Sequence, residues 1–336
     1  MAKTVGVDLG TANTLMCLKG SGIIVRTSSA VAINSDTREI IAQGAEAKQM
    51  MGKAPMGIRA FRPIQDGVIT DAEVTSGMLK KYFKGIGALS TFSRPFVIAS
   101  IPYGVTEVER QALESAIFYA GARKVALIDE PLAAALGAGL NIGGPRGTMI
   151  VDIGGGTTEV AVISMGGIVA SCSVRVAGDE LDEAIVEHIK KTRRVHIGTS
   201  TAEELKMRIG SAHEEIDRGS MNVSGMSLVR IKGEVISISS AEVRAAMEKP
   251  IGIIISTVKQ ALEQTPPELS SDLYDFGIVL TGGGALIPGL ARLISERTEG
   301  IRVRVAQRPL ESVCRGIFRV IESSDELEGL LRFRER

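Results

Sequence analysis

Tryptophan is absent from this 336-residue sequence, and the other aromatics are sparse at eight Phe and four Tyr. So few rings argue against stacking platforms for single strands or sugars. Cysteine is scarce as well. Cys17, Cys172 and Cys314 are odd in number, far apart and without a CxxC pair, so they read as small core residues and not as a disulfide frame or zinc site. His188, His196 and His213 fall in no HExxH-like spacing. Net charge is missing too: 39 Lys plus Arg balance 39 Asp plus Glu. That argues against a polyanion-coating surface, leaving room only for a local basic patch, and no nucleic-acid partner is expected. No run approaches 18 apolar residues, which excludes a membrane-spanning helix. Val5-Gly-Val-Asp8 reads as a strand where a secretory leader would stand, so a cytoplasmic protein is expected.

What is present is glycine, 38 residues of it, and enough apolar side chains (44%) to fill real cores. The length suits two domains. Two segments open almost identically: VGVDLGTANT at 5–14 and IVDIGGGTTEVAV at 150–162. Each runs strand, Asp, Gly/Thr turn, second strand, and then a glycine turn into a third strand. Two matched units of this kind suggest duplicated domains. Between them strands and helices alternate. Residues 95–101 and 125–129 read as strands, Thr106 caps a helix, and Glu130-Pro131 opens an Ala-rich one. The turn-rich stretch 141–147 is the candidate boundary. Further on, Asp179 precedes a helix and Thr201 starts another. Residues 211–240 read as short strands, Pro250 as the start of a long helix, and 276–285 as a strand with a third glycine turn. The class is α/β.

Small residues after a strand let backbone N–H groups approach a phosphate chain closely. Thr11, Asn13, Thr157 and Thr158 add donors. Asp8 and Asp152, at strand ends, place charge where a magnesium ion and its waters could bridge to phosphates. The turn Gly282-Gly283-Gly284 would let a nucleoside lie flat on backbone. Any one of these turns alone reads equally well as a hairpin that needs glycine. The three together, with two matched aspartates, read as a site.

The motifs resemble those of the actin-like ATPases, and within them the bacterial actins of the MreB type. The resemblance rests on the two segments above together with RPIQDGVITD (62–71), GVTEVERQAL (104–113), IDEPLAAALGAGL (128–140), VAGDELDEAI (176–185), TAEELK (201–206), TPPELSSD (265–272) and LTGGGALIPGL (280–290). It implies an actin-like fold of two duplicated domains, each a mixed sheet flanked by helices, with ATP and Mg²⁺ in the cleft between them. Domain I would be 1–140 plus 310–336, with a small subdomain near 33–65. Domain II would be 141–309, with a small subdomain near 181–239. By the same resemblance, Thr11, Ala12 and Asn13 hold phosphates from one side, and Gly154, Gly155, Gly156, Thr157 and Thr158 from the other. Glu203, Glu204, Leu205 and Lys206, with Gly282, Gly283, Gly284 and Ala285, meet the nucleoside. Asp8 and Asp152 order the magnesium waters. Glu130 orients the attacking water with help from Thr157. Its other reading is ordinary acidic charge at a helix start.

The resemblance further implies a slow Mg-dependent ATPase that polymerises with itself. Its filaments would lie on the inner face of the membrane, guide the cell-wall elongation machinery and set rod shape. Because the sequence opens on its first strand, no leader helix is expected. The membrane element would be the loop 89–94, with Leu89 and Phe92 entering the interface, unless this is an ordinary loop. The end of the chain, with Arg332, Arg334 and Arg336, reads as a solvated helix end or a second membrane-facing element. Ile317 and Phe318 after Gly316 depart from the small residues usual in the family and put local packing in question. The rival readings are a heat-shock-chaperone-like ATPase, which would need a substrate module, and a sugar-kinase-like one, which would need an acceptor pocket.

Overall fold

The computed structural model describes residues 3–323 and 327–335. The chain divides into two compact units, one of Met1–Pro145, Ile163–Ile168 and Leu310–Arg336, the other of Arg146–Val162 and Val169–Pro309.

In the first unit the described residues form a six-stranded mixed sheet in the order Arg332–Glu335, Lys124–Asp129, Phe96–Ile101, Thr4–Leu9, Asn13–Leu18, Gly22–Ser28. The last three are an antiparallel meander. Gly20 and Gly22, both at positive φ, turn the chain into its third strand. Thr4–Leu9 then pairs parallel with Phe96–Ile101, Val5 beside Val97 and Val7 beside Ala99. Side chains alternate along these strands. Val5, Val7, Leu9, Val97, Ala99 and Ile101 bury against Met78, Leu79, Phe83 and Ile117 of the helices Ala72–Gly85 and Glu107–Tyr119. Thr106 caps the second of these helices in a reciprocal box with Glu109. On the other face lie the helices Glu130–Gly137 and Ser312–Glu322. A Cβ on Gly6 would stand 2.6 Å from Ile317. Ile317 is fully buried there, which is how the position after Gly316 uses a large residue. A small sheet (Val31–Asn34, Ile40–Gln43, Ile58–Phe61) with the helix Ala45–Met50 packs on alanines 30, 32, 42 and 47.

The second unit repeats the plan. Its sheet runs Gly167–Val174, Thr158–Ser164, Thr148–Ile153, Ile278–Thr281, Val303–Val305. Again a three-stranded meander is followed by two parallel strands. A three-stranded sheet (Val195–His196, Ser220–Ser227, Gly233–Ser239) and the helices Gly178–Arg193, Thr199–Ile209 and Ser240–Glu263 share the core with Met149, Val151, Ile153 and Leu280.

Three local expectations fail. The long helix does not start at Pro250 but ten residues earlier at Ser240, capped by Ser239 in a box with Glu242, and Pro250 lies inside it. The helix expected after Asp179 starts at Gly178, with Glu180 accepting from Ala177 N at 2.7 Å. Near its end the chain is a strand. Arg332–Glu335 pairs antiparallel with Lys124–Asp129, Phe333 stacks on Phe96, and Lys124 Nζ lies 4.5 Å from the Phe333 ring centroid. Arg336 lies outside the described residues.

Candidate functional site

Each unit carries one glycine turn after its first strand, and the two turns are built alike. Gly10 N donates to Asn13 O at 3.1 Å, and Gly154 N donates to Thr157 O at 2.9 Å. The carbonyls of the first turn are tied back: Ser29 Oγ donates to Gly10 O at 2.6 Å, while Ser28 Oγ and Ser29 N both reach Ala12 O. Thr11 is buried and its Oγ1 accepts from Gly67 N at 3.1 Å, which fastens the 62–71 segment to the turn. The carbonyls of the second turn are held by a helix instead. Gly178 N donates to Gly154 O at 3.2 Å and Asp179 N to Gly155 O at 2.8 Å. With carbonyls anchored, what either turn offers an anion is its N–H side.

The aspartates match as closely. Asp8 and Asp152 each stand two residues before the turn glycine, and each has a hydroxyl on the adjoining parallel strand. Ser100 Oγ is 3.5 Å from Asp8 Oδ1, and Thr281 stands directly beside Asp152 in register, its hydroxyl donating to Val151 O at 3.4 Å. These two hydroxyls were missed in the sequence because they lie on strands about 90 and 130 residues downstream; only pairing register brings them in. Burial pushes the Asp152 carboxyl up to about 6 with the neighbouring Thr281 hydroxyl opposing, and its Oδ1 is shut from solvent without a hydrogen-bond partner. An orphaned buried carboxylate oxygen of this kind fits a hard cation. Gly282 completes this corner. It has φ 78°, and a Cβ there would be 2.2 Å from Ile153 O and 2.8 Å from Asp152 Oδ1.

Glu130 opens the helix Glu130–Gly137 directly after the strand carrying Asp129. The two acids diverge. Asp129 pairs with Arg332 at 2.8 Å; burial raises its pKa and that arginine opposes the rise. Glu130 instead lines a small cavity of the first unit together with Leu9, Gly67, Ser100 and Pro102.

Some expected residues offer less than their types suggest. Thr158 is fully buried and its hydroxyl donates to Val176 O at 2.7 Å. Leu205 and Ala285 are buried in the core of the second unit, so only their backbone remains for a ligand. Lys206 is committed to Asp182 and to Gly178 O. Burial pushes Asp182 up to about 6, Lys206 opposes, and Glu203 and Asp179 add to the rise. Ala12, Thr157, Glu203, Glu204, Gly155, Gly282 and Gly283 are half-buried, and Asn13 is exposed. Of the two apolar side chains in the loop 89–94 only Phe92 projects, at 98% exposure on a turn closed by the Ser90–Ser93 bridge. Leu89 instead packs on the core of the first unit, where a Cβ on Gly121 would meet it at 2.9 Å.

The family model described as MreB/Mbl protein matches residues 2–329. The chain belongs to the MreB/Mbl family. It is 46% identical over 325 residues to the cell shape-determining protein MreB of Escherichia coli K12, covering 95% of this chain and 93% of the relative. It is 40% identical over 326 residues to the cell shape-determining protein Mbl of Bacillus subtilis, covering 97% and 98%. Among solved structures, MreB5 of Spiroplasma citri bound to ADP superposes with a TM-score of 0.91 at 36% identity, covering 98% of each chain, and the same protein is known bound to AMPPNP. The fold is therefore actin-like, and membership in the MreB/Mbl family sets aside the chaperone-like and sugar-kinase-like readings. As in the sequence, no described helix of this MreB/Mbl chain is long and apolar enough to cross a membrane.

Proposed function

We propose that this chain is an ATP-dependent, filament-forming cell-shape protein that works on a membrane surface. The reading is carried by the duplicated arrangement of turn, aspartate and neighbouring hydroxyl, one copy per unit, in a family with a member solved with ADP and with AMPPNP. The N–H groups of 11–13 and 155–157 take the phosphates. Asp8 and Asp152 order the waters of a magnesium ion, which supplies charge neutralisation of the phosphate chain. Gly282, Gly283 and Gly284 give a flat backbone for the nucleoside, beside Glu203 and Glu204. Glu130 orients a water toward the terminal phosphate, with Thr157 assisting. Cleavage is slow in the monomer and rises with assembly. The filaments guide the cell-wall elongation machinery.

Phe92 is the membrane contact. Burying one Phe side chain contributes about 1.5–3 kcal/mol, too little for a monomer but additive along a filament. Pelleting and electron microscopy with Mg–ATP, with and without anionic vesicles, test the reading. The expected result is nucleotide-dependent filaments that coat vesicles. Phe92→Ser should lower vesicle binding about tenfold or more while leaving filaments in solution intact. A monomer that pellets under no condition would refute the filament reading. Unchanged vesicle binding by Phe92→Ser would refute only the loop.

A further inference from the structure

Two of the three cysteines meet inside the first unit. Cys17 stands opposite Gly6 in register, and the alternation that sends Met16 into the core under the helix Ala72–Gly85 turns Cys17 to the other face. There it lies against the helix Ser312–Glu322. A Cβ on Gly6 would crowd both the Cys17 sulfur and Ile317, and Cys314 precedes Ile317 by three residues on the same side of that helix. The Cys17 and Cys314 thiols are hydrogen-bonded to each other, and both side chains are fully buried. That bond, and then burial, raises the Cys314 pKa, so the closed pair stays as two thiols and reacts slowly. Two exposed contacts tie the ends of the helix to the same meander. Arg26 Nε donates to Glu311 Oε1 at 2.8 Å, and Gly20 N donates to Glu322 Oε1 at 2.7 Å. A bond between the two sulfurs would hold its middle. Cys172, the third cysteine, lies in the other unit with its thiol 3.5 Å from Gln264 Oε1.

We propose that Cys17 and Cys314 are an oxidative modification site, which a hydroperoxide converts to a disulfide joining the helix Ser312–Glu322 to the strand Asn13–Leu18. One thiol gives up its proton, and its sulfur takes a hydroxyl from the peroxide to form a sulfenic acid and one water. The other sulfur then displaces that hydroxyl, which leaves with the second thiol proton as another water. Two thiols are oxidised and one peroxide is reduced. The joined residues stand nearly the whole chain apart, so the bond strongly restricts the unfolded chain. Reaction awaits local opening of the helix.

The test uses the full chain carrying Cys172→Ser, treated with hydrogen peroxide with and without urea below the unfolding transition. The chain is then unfolded in a maleimide, digested without reductant and mapped. The expected product is a Cys17 peptide joined to a Cys314 peptide within one chain, formed faster in the urea. The thermal midpoint should rise by about 5 °C or more and return on adding dithiothreitol. That reversal separates the bond from methionine oxidation, which dithiothreitol leaves in place. Adding Cys314→Ser should remove both the joined peptide and the reversible rise. Two maleimide-blocked thiols after either treatment, sulfinic acid in place of the bond, or peptides joined only between chains would overturn the proposal.

Discussion

Phosphate release by Glu130→Gln is expected to fall by a factor of about 10² to 10⁴ relative to the unaltered chain, with binding of a non-hydrolysable ATP analogue retained. Gln keeps the size of the side chain and its place at the first position of the helix Glu130–Gly137, but it can no longer accept a proton or polarise water as a carboxylate does. The stability effect should be small, because an acidic group at a helix start contributes only about 0.3–1 kcal/mol. That separation is what distinguishes the water-orienting reading from simple helix-start charge. If Glu130 served only the helix, the variant would melt slightly lower and release phosphate at the normal rate. Asp129, one residue earlier, is the built-in comparison: its carboxylate is occupied by Arg332, so Asp129→Asn should disturb the edge strand Arg332–Glu335 more than turnover.

Gly316→Val is expected to abolish stable folding of the first unit. The helices Glu130–Gly137 and Ser312–Glu322 meet backbone to backbone: a Cβ at Gly316 would lie 1.8 Å from Ala133 O, and one at Gly137 would lie 1.7 Å from Ser312 O. Neither contact ends on a flexible side chain, so the helices themselves must part. Even Gly316→Ala, which gains about 1 kcal/mol of helix propensity, should lose more than that to overpacking of about 1–3 kcal/mol or more. Valine adds two further carbons on the face that buries Val313, Ile317, Val320 and Ile321, and a loss above about 4 kcal/mol is expected. Urea unfolding measures both. Gly252→Ala is the control: it sits in the helix Ser240–Glu263 with nothing within 4 Å of its would-be Cβ, and should stabilise by about 1 kcal/mol.

The duplication was legible in the sequence because its signal is local: strand, aspartate and glycine turn are contiguous at 5–14 and again at 150–162. The cap at Thr106 and the start at Glu130 were legible for the same reason. The start at Ser240 could have been read from Ser239 and Glu242, three residues apart, but Pro250 drew the boundary, because an interior proline loses a backbone hydrogen bond and crowds the carbonyl four residues earlier at a cost of about 3 kcal/mol, which this 24-residue helix accommodates. The edge strand Arg332–Glu335 was hidden because its partner lies about 200 residues upstream. Ser100 and Thr281 were hidden likewise, being partners by register alone. Side-chain direction was the other blind spot. Leu89 and Phe92 are alike in hydrophobicity, yet one packs beside Gly121 and the other stands in solvent. Lys206, expected at the nucleoside, also donates to Gly178 O and pairs with Asp182 within its own unit, partners that register and packing alone reveal.

Thermal unfolding of the full chain and of Asp152→Asn, each with and without Mg–ATP at pH 8, tests the central claim that the paired turns hold a metal nucleotide. The Asp152 carboxyl is raised to about 6 when folded, so the folded state keeps a proton that the unfolded chain releases. Its contribution to stability therefore falls as pH rises from about 4 to about 6 and stays lost above. Asn removes that cost, and the ligand-free variant should be more stable at pH 8 by about 3 kcal/mol. With Mg–ATP in excess the unaltered chain should gain about 4 kcal/mol, and the variant, lacking the charge that orders the cation, clearly less. Equal gains in both proteins, or none in either, would contradict the account.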